Sequence, residues 1–546
     1  MAMQPVGVSV ENTESSSLPL PSATASSSTG ASLSANSTNS GIARNALFSY
    51  GTTIATALVG LVVTPLLLRH LGAAQFGLWI LLLSVVGYLG LLEIGLYLTV
   101  SKRVAENLAT HDAKRLGQIL GTAFVLYVSL GFVALIISGV LASFVGTLFH
   151  LEPAAIPAAG WCLLLLGVNQ LFLFIVRLQP AILFGAGRLD ILTGIASLTG
   201  IGASLVNVFL TLRGYNIIAL AVCTLVATCI SALLVRRSIL RHLPKISIRP
   251  GQFDRDIAMD LMKFGSRNAT LSIAGTIAFG ADALIIGLLL PVANVANYAI
   301  AAKLTNLIKD LCQKPIDVLL PAYSHSNAQN NIERQFQLWS ESISLSMAVC
   351  LPFVIIIWGF GSQIIEAWVG QGHEASYAIC AVLSLMILMQ LPGHACYMIL
   401  TGTERNLFLV RMYVFAAAAN LLVSILLTRL LGPIGVALGS LITVSVVDFT
   451  ILPWHVCQQF GFKYRTYVQQ SLVPLLVPLV VSSLIVLGCR SFLAPRGAIE
   501  ALVLAGSIVI ISWLVWMCYG IDTTRRNSYW RTVHAAINKK IAPTTA

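Results

Sequence analysis

The sequence predicts an all-α polytopic membrane protein of about 14 transmembrane helices: two six-helix lobes related by pseudo-two-fold symmetry, plus two extra C-terminal helices. Three observations lead there. Of 546 residues, 57% are hydrophobic and only 10% charged, against roughly 25% charged in an average soluble domain, and the mean hydropathy is +0.85. A soluble core stops growing near ~250–300 residues and must still be covered by polar surface, so the solvent for most of this chain is lipid. Apolar segments also recur at the length of a bilayer crossing, and Lys and Arg are confined to alternate loops.

A helix crossing hydrocarbon needs about 20 apolar residues, because its backbone groups can be satisfied only within the segment. Segments of this kind lie near 45–68, 76–100, 119–144, 156–178, 190–211, 215–235, 263–290, 297–320, 340–360, 374–400, 406–428, 433–456, 471–489 and 498–519. If the first helix starts in the cytoplasm, the outer loops keep only Arg69, Arg213, Arg429, Arg490 and Arg496. The other Lys and Arg fall inside, apart from Lys303 and Lys309 within the eighth helix. The positive-inside rule then puts both termini in the cytoplasm. The net charge of +12 is thus a topology signal and implies no nucleic-acid partner.

The domain reading rests on these breaks. Residues 1–41 are a Ser-rich cytoplasmic tail too poor in apolar residues to fold. Residues 42–236 form the first lobe, 237–262 a basic cytoplasmic linker, 263–457 the second lobe, 458–519 helices 13 and 14, and 520–546 a basic cytoplasmic tail. Ser101 to Gln118 reads as either an amphipathic helix at the interface or a solvated linker. The ten cysteines fall singly in apolar stretches, as small core residues rather than ligands. No phosphate-binding GxxxxGK[ST] is present, and His373-Glu374 lacks the second His of a zinc motif. The short outer connections leave no room for an external catalytic domain. An enzyme, a metal site and a cofactor are therefore not expected.

An internal repeat accompanies the two lobes. GAGR at Gly185–Arg188 precedes the fifth helix as GTER at Gly402–Arg405 precedes the eleventh, and Gly214 and Gly432 mark the next turn in each lobe. Two parallel lobes of this kind leave a substrate path between them.

The stretch LGAAQFGLWILLLSVVGYLGLLEIGL at Leu71–Leu96 resembles the first conserved block of bacterial O-antigen and exopolysaccharide flippases. These are Wzx-type polysaccharide biosynthesis transporters of the multidrug/oligosaccharidyl-lipid/polysaccharide exporter superfamily. NLLVSILLTRLLGPIGVALGSLI at Asn420–Ile442 is similar to that family too. The resemblance spans Ala43 to Phe460. It implies alternating access by a flippase that moves undecaprenyl-diphosphate-linked oligosaccharide from the cytoplasmic to the outer leaflet of the bacterial inner membrane. Helices 1, 2, 7 and 8 would line the cavity. The implied partners are that lipid-linked oligosaccharide, the lipid bilayer and the polysaccharide polymerase and export machinery. A multidrug/cation antiporter of the same superfamily and a non-transport scaffold of glycan assembly are the alternatives.

Charges inside spans are costly and are functional candidates by default. A diphosphate needs cations, and sugars need hydroxyl or amide partners. On the lining helices these are Arg44, Asn45, Tyr50 and Thr53 of helix 1, Arg267 and Asn268 of helix 7, and Lys303 and Lys309 of helix 8. Arg44 and Arg267 either bind phosphate or anchor helix ends among lipid headgroups. Lys309, beside Asp310 near the midplane, is the expected diphosphate cation. Glu93 and Asp282 are the coupling or gating candidates. Asp282 and Lys303, at depths of roughly 12 and 9 Å by helical rise, are placed to meet in a structural pair or a gate. Glu93 is expected to pack or pair with Arg44. Asp448, outside the lining, reads as structural, and Arg177 and Arg188 as topology determinants. Pro315 and Pro321 are read as bend points of helix 8.

Overall fold

The computed structural model describes residues 28–93, 95–110, 112–242, 253–405, 407–492 and 498–520, all in helices and short turns. The chain divides into two units, Met1–Gly51 and Thr52–Ala546. The first is helical from Ser28 on, so the part of the expected unfolded tail from Ser28 to Gly41 is helical here. Extending an existing helix needs no new nucleus. Residues 1–27 and 521–546 lie outside the described residues.

Helix α1 (Ser28–Leu89) is interrupted at Gly72, whose φ of 77° and ψ of 162° are far from helical. Only glycine adopts such a backbone without strain. The apolar run Ala55–Glu93 has 39 residues, about 58 Å of helix, nearly twice the ~30 Å hydrocarbon thickness. The break at Gly72 divides it into helices 1 and 2. A tight turn at Gly90–Glu93 and the left-handed Gly95 (φ 65°) then end helix 2. The expected continuation to residue 100 is therefore corrected: Glu93 sits at a helix end, not inside one. The next element is an amphipathic helix, α2 (Leu96–Ala109), with Leu96, Val100 and Val104 buried and Lys102 and Glu106 exposed. The amphipathic reading of this segment holds, displaced toward the N-terminus.

Asp112 caps the next helix by accepting from the Arg115 N–H at 2.9 Å. The first lobe continues through α3 (Ala113–Leu148), α4 (Ile156–Val176), α5 (Leu178–Gly185), α6 (Leu189–Leu212) and α7 (Ile217–His242). The second lobe begins at α8 (Arg255–Gly280), capped by the Asp254 carboxylate on the N–H groups of Asp256 and Ile257. Then come α9 (Asp282–Leu289), α10 (Ala293–Asp317), α11 (Leu320–Ala328), α12 (Ile332–Val369), α13 (Glu374–Gly402), α14 (Leu407–Leu431) and α15 (Pro433–Val446). A wide turn at Val447–Ile451 leads into α16 (Leu452–Phe460). The short α17 (Tyr464–Tyr467) precedes the last two long helices, α18 (Leu476–Phe492) and α19 (Ala498–Val515). Pro321 opens α11 at its first turn, where its missing N–H costs nothing, so it starts a helix and does not bend one.

Among the described residues, ten helical runs are long and apolar enough to cross a membrane by length and composition alone. Dividing Ala55–Glu93 at Gly72, and adding α8 with α9, α10 and α19, gives the 14 expected. Helix 7 is not among the ten because the helix breaks between Gly280 and Asp282, leaving α9 short, and α8 carries Lys263 and Arg267; helix 8 carries Lys303, Lys309 and Asp310. The polar spans are those that face protein instead of lipid.

The repeat is visible in backbone hydrogen bonds. In the first lobe Gly187 N–H donates to Phe184 O and Arg188 N–H to Leu183 O; in the second, Glu404 N–H donates to Thr401 O and Arg405 N–H to Leu400 O. Both third positions take positive φ, 72° at Gly187 and 59° at Glu404. Gly214 (φ 83°) and Gly432 (φ 71°) repeat the second landmark. GAGR and GTER are one turn geometry used twice.

Candidate functional site

The two lobes meet closely at the end of the bundle that carries few charges. Gly77 of helix 2 lies against the Val292 carbonyl and the Ala296 N–H, and Gly287 of α9 against the Leu81 side chain, so that any Cβ at either glycine would collide. Val63, Leu67, Phe76, Leu81, Ile285, Ile286 and Val295 join in one buried cluster across the seam. With no hydrophobic drive between helices in lipid, such close approach through small residues is what holds them.

Lys303 of α10 enters this seam. Its Nζ lies over Gly60 of helix 1, where the missing side chain makes room for the ammonium. Among the described residues Lys303 forms no ion pair, and neither does Lys309, six residues further along, whose near charge is its neighbour Asp310. The expected meeting of Asp282 with Lys303 is not found. Asp282 is buried, at 5% exposure, and accepts from the Tyr298 hydroxyl and, at 3.4 Å, from the Ser440 hydroxyl. Tyr298 and Lys303 are five residues apart on α10, about 140° around the helix. A carboxylate bound to one is turned away from the other. The network continues inward: Asn420 donates to Ser440 at 3.0 Å, and Ser424 to Asn420 at 3.1 Å. Asp282 is therefore held within the second lobe, and Lys303 faces the first.

Glu93 also finds a partner other than the one expected. Its Oε2 accepts from Arg177 Nε at 2.9 Å, and the guanidinium stands 4.7 Å from the centre of the Tyr97 ring. Glu93 Oε1 and the Tyr127 hydroxyl are buried with no hydrogen bond among the described residues. Arg177 is thus part of the Glu93 cluster as well as a charge at its end of the bundle. The remaining candidates, Arg44, Asn45, Tyr50 and Thr53 on α1 and Arg267 and Asn268 on α8, lie outside the residues whose side chains are described. Asp448 is buried at the wide turn of helix 12, 3.4 Å from the Tyr413 hydroxyl and against Gly393.

At the opposite, basic end the start of helix 7 is docked on the first lobe. Leu261, at 1% exposure, joins Leu96, Val100, Val104 and Leu120 in that lobe's buried cluster. Arg103 of α2 pairs with Asp260 of α8 and, at 3.1 Å, with Glu106. The Asp254 N–H donates to the Thr122 hydroxyl at 3.1 Å. Partial burial disfavours the Arg103 charge, but the hydrogen bonds to Glu106 and Asp260 outweigh it and raise its pKa. Sequence reading missed this pair, because Arg103 and Asp260 were each one charge among several in basic loops.

No curated protein matches the chain. Among solved structures, the lipid II flippase MurJ in an inward closed conformation superposes with a TM-score of 0.70 at 15% identity, over 86% of this chain and 97% of that one. An inward-facing multidrug resistance MATE family transporter of the MOP superfamily superposes at 0.62 and 16% identity, over 76% of this chain and 96% of that one. The fold is therefore that of these transporters. Residues 42–327, more than half of the sequence, match the family model described as polysaccharide biosynthesis protein, and the chain belongs to that family.

Proposed function

We propose that this protein is a flippase for undecaprenyl-diphosphate-linked oligosaccharide, working by alternating access in the bacterial inner membrane and supplying O-antigen or exopolysaccharide assembly. The observation that carries this reading is the pair of ammonium groups, Lys303 and Lys309, on a helix of the lobe interface, with no acid ion-paired to either among the described residues. Both lysines are half-buried; a cation inside a membrane span without an ion-paired acid is costly, and an anionic cargo offsets that cost while it is bound. By residue type, Arg44 and Arg267 would serve phosphate, and Asn45, Tyr50, Thr53 and Asn268 sugar hydroxyls. The lipid tail can remain in the bilayer.

On this reading Glu93 and Asp282 are the carboxylates for coupling or gating, each held inside one lobe, Glu93 by Arg177 and Asp282 by Tyr298 and Ser440. The lipid II named for the MurJ structure favours a lipid-borne cargo, and on this reading the positive-inside rule puts both termini in the cytoplasm. A multidrug antiporter would need an anionic lining for a cationic drug, which two unpaired lysines oppose.

The test is deletion of the gene followed by assay of lipid-linked glycans on each leaflet. A glycan should accumulate on the cytoplasmic side, and Lys309→Ala should reproduce the accumulation while Lys309→Arg relieves it. An unchanged glycan distribution with lost resistance to cationic drugs would establish the antiporter instead.

A further inference from the structure

Pro65 stands in the first arm of α1. Having no backbone N–H, it leaves the carbonyl four residues before it without its helical donor. That carbonyl belongs to Leu61, and the Trp368 indole N–H donates to it at 2.7 Å. Trp368 is in the last turn of α12, just before Gly370 (φ 98°) ends the helix, and the bond crosses from the second lobe to the first. One turn is served twice by side chains: the Thr64 hydroxyl also donates to the Gly60 carbonyl at 2.7 Å. Trp368 is half-buried, in a setting where an indole N–H needs a partner.

Apart from the Lys303 ammonium over Gly60, the described seam around this bond is apolar and closed over glycines. When the lobes part at this end, the Trp368 bond must break, and no backbone donor can replace it at Leu61. Among the described residues the apolar contacts of the seam are non-directional packing, whereas this bond is directional and fixes one registered closed arrangement.

We propose that Trp368 and the carbonyl exposed by Pro65 form a latch that holds the charge-poor end of the lobe interface shut and sets the population of the state open there. It is a positioning device for the transport cycle, apart from the cargo-binding cations. The proposal rests on the alternating-access reading above. The latch stabilises the closed form by about one neutral hydrogen bond, so losing it should raise the open population roughly three- to tenfold.

The test uses the full chain in lipid nanodiscs, with spin labels at Arg69→Cys and Gln371→Cys and the other cysteines replaced. Both positions are exposed and lie on opposite lobes at this end. Trp368→Phe keeps most of the ring and removes the donor. Pro65→Ala leaves Trp368 intact and gives Leu61 its helical donor back. Each variant should increase the long-distance population three- to tenfold, and the double variant should add little to the larger single effect, because both remove the same bond. Effects that multiply, or a two-distance population that neither variant shifts, would overturn the latch while leaving lobe motion standing. A single unchanging distance in every variant, with and without lipid-linked glycan, would overturn the latch and the alternating-access reading together.

Discussion

Nε of Arg177 lies 2.9 Å from Oε2 of Glu93, joining the turn between helices 4 and 5 to the end of helix 2. Glu93 is 14% exposed and Arg177 40%. Truncating one partner of a fully buried pair costs about 3–5 kcal/mol, since it leaves the other charge uncompensated. Here solvent reaches the guanidinium and the loss should be smaller. Arg177→Ala is expected to destabilise the protein by about 2 kcal/mol, and Glu93→Gln added to it should recover part of that. Thermal unfolding of the two single variants and the double variant in nanodiscs checks this. Additive losses would mean that the two side chains act independently.

Gly60 gives a way to move Lys303 without deleting its charge. A methyl group at Gly60 meets the end of the Lys303 side chain and no other described atom. The lysine can swing away, so stability should fall by less than the roughly 1–3 kcal/mol that overpacking against fixed groups costs. Transport is another matter. If the ammonium contacts the cargo from this place, displacing it removes a charge-assisted contact and should slow flipping about tenfold or more. The check is the rate at which labelled lipid-linked oligosaccharide changes leaflet in proteoliposomes containing Gly60→Ala. A normal rate would exclude Lys303 at this position from cargo binding.

Much of the fold was legible because lipid imposes one rule on every backbone group: span count, lobe division and repeated turns all derive from segment length, loop charge and small motifs such as GAGR and GTER. The breaks at Gly72 and Gly95 were less so, since a glycine in an apolar run marks a break only once its φ is known. Side-chain partnerships were the least legible. Helical rise alone put Asp282 and Lys303 at similar depth, yet rotation about the helices decides whether they meet, and Tyr298 holds the carboxylate on the other side. Glu93 and Arg177 are 84 positions apart, with only Arg177's place at a helix end hinting at the pair. The Trp368 bond was hidden because its acceptor is a carbonyl, which no residue type announces. Pro65 was the one available signal.

The Arg103–Asp260 pair ties the first lobe to the start of helix 7, and its exposure sets what it can do. With side chains 31% and 56% exposed, it belongs with surface pairs worth about 0.2–1 kcal/mol, too little to decide whether the protein folds. It is enough to shift how often the first turns of α8 leave the first lobe, since even the upper bound changes a two-state population about fivefold. Asp260→Asn should therefore leave the melting temperature nearly unchanged and accelerate hydrogen exchange in residues 255–261 by up to about fivefold. Molar salt should do the same to the unaltered protein, because exposed charges are screened. The swapped pair, Arg103→Asp with Asp260→Arg, should restore protection. If Asp260→Asn leaves exchange unchanged, then burial of Leu261 and the Asp254–Thr122 hydrogen bond hold α8 in place without the ion pair.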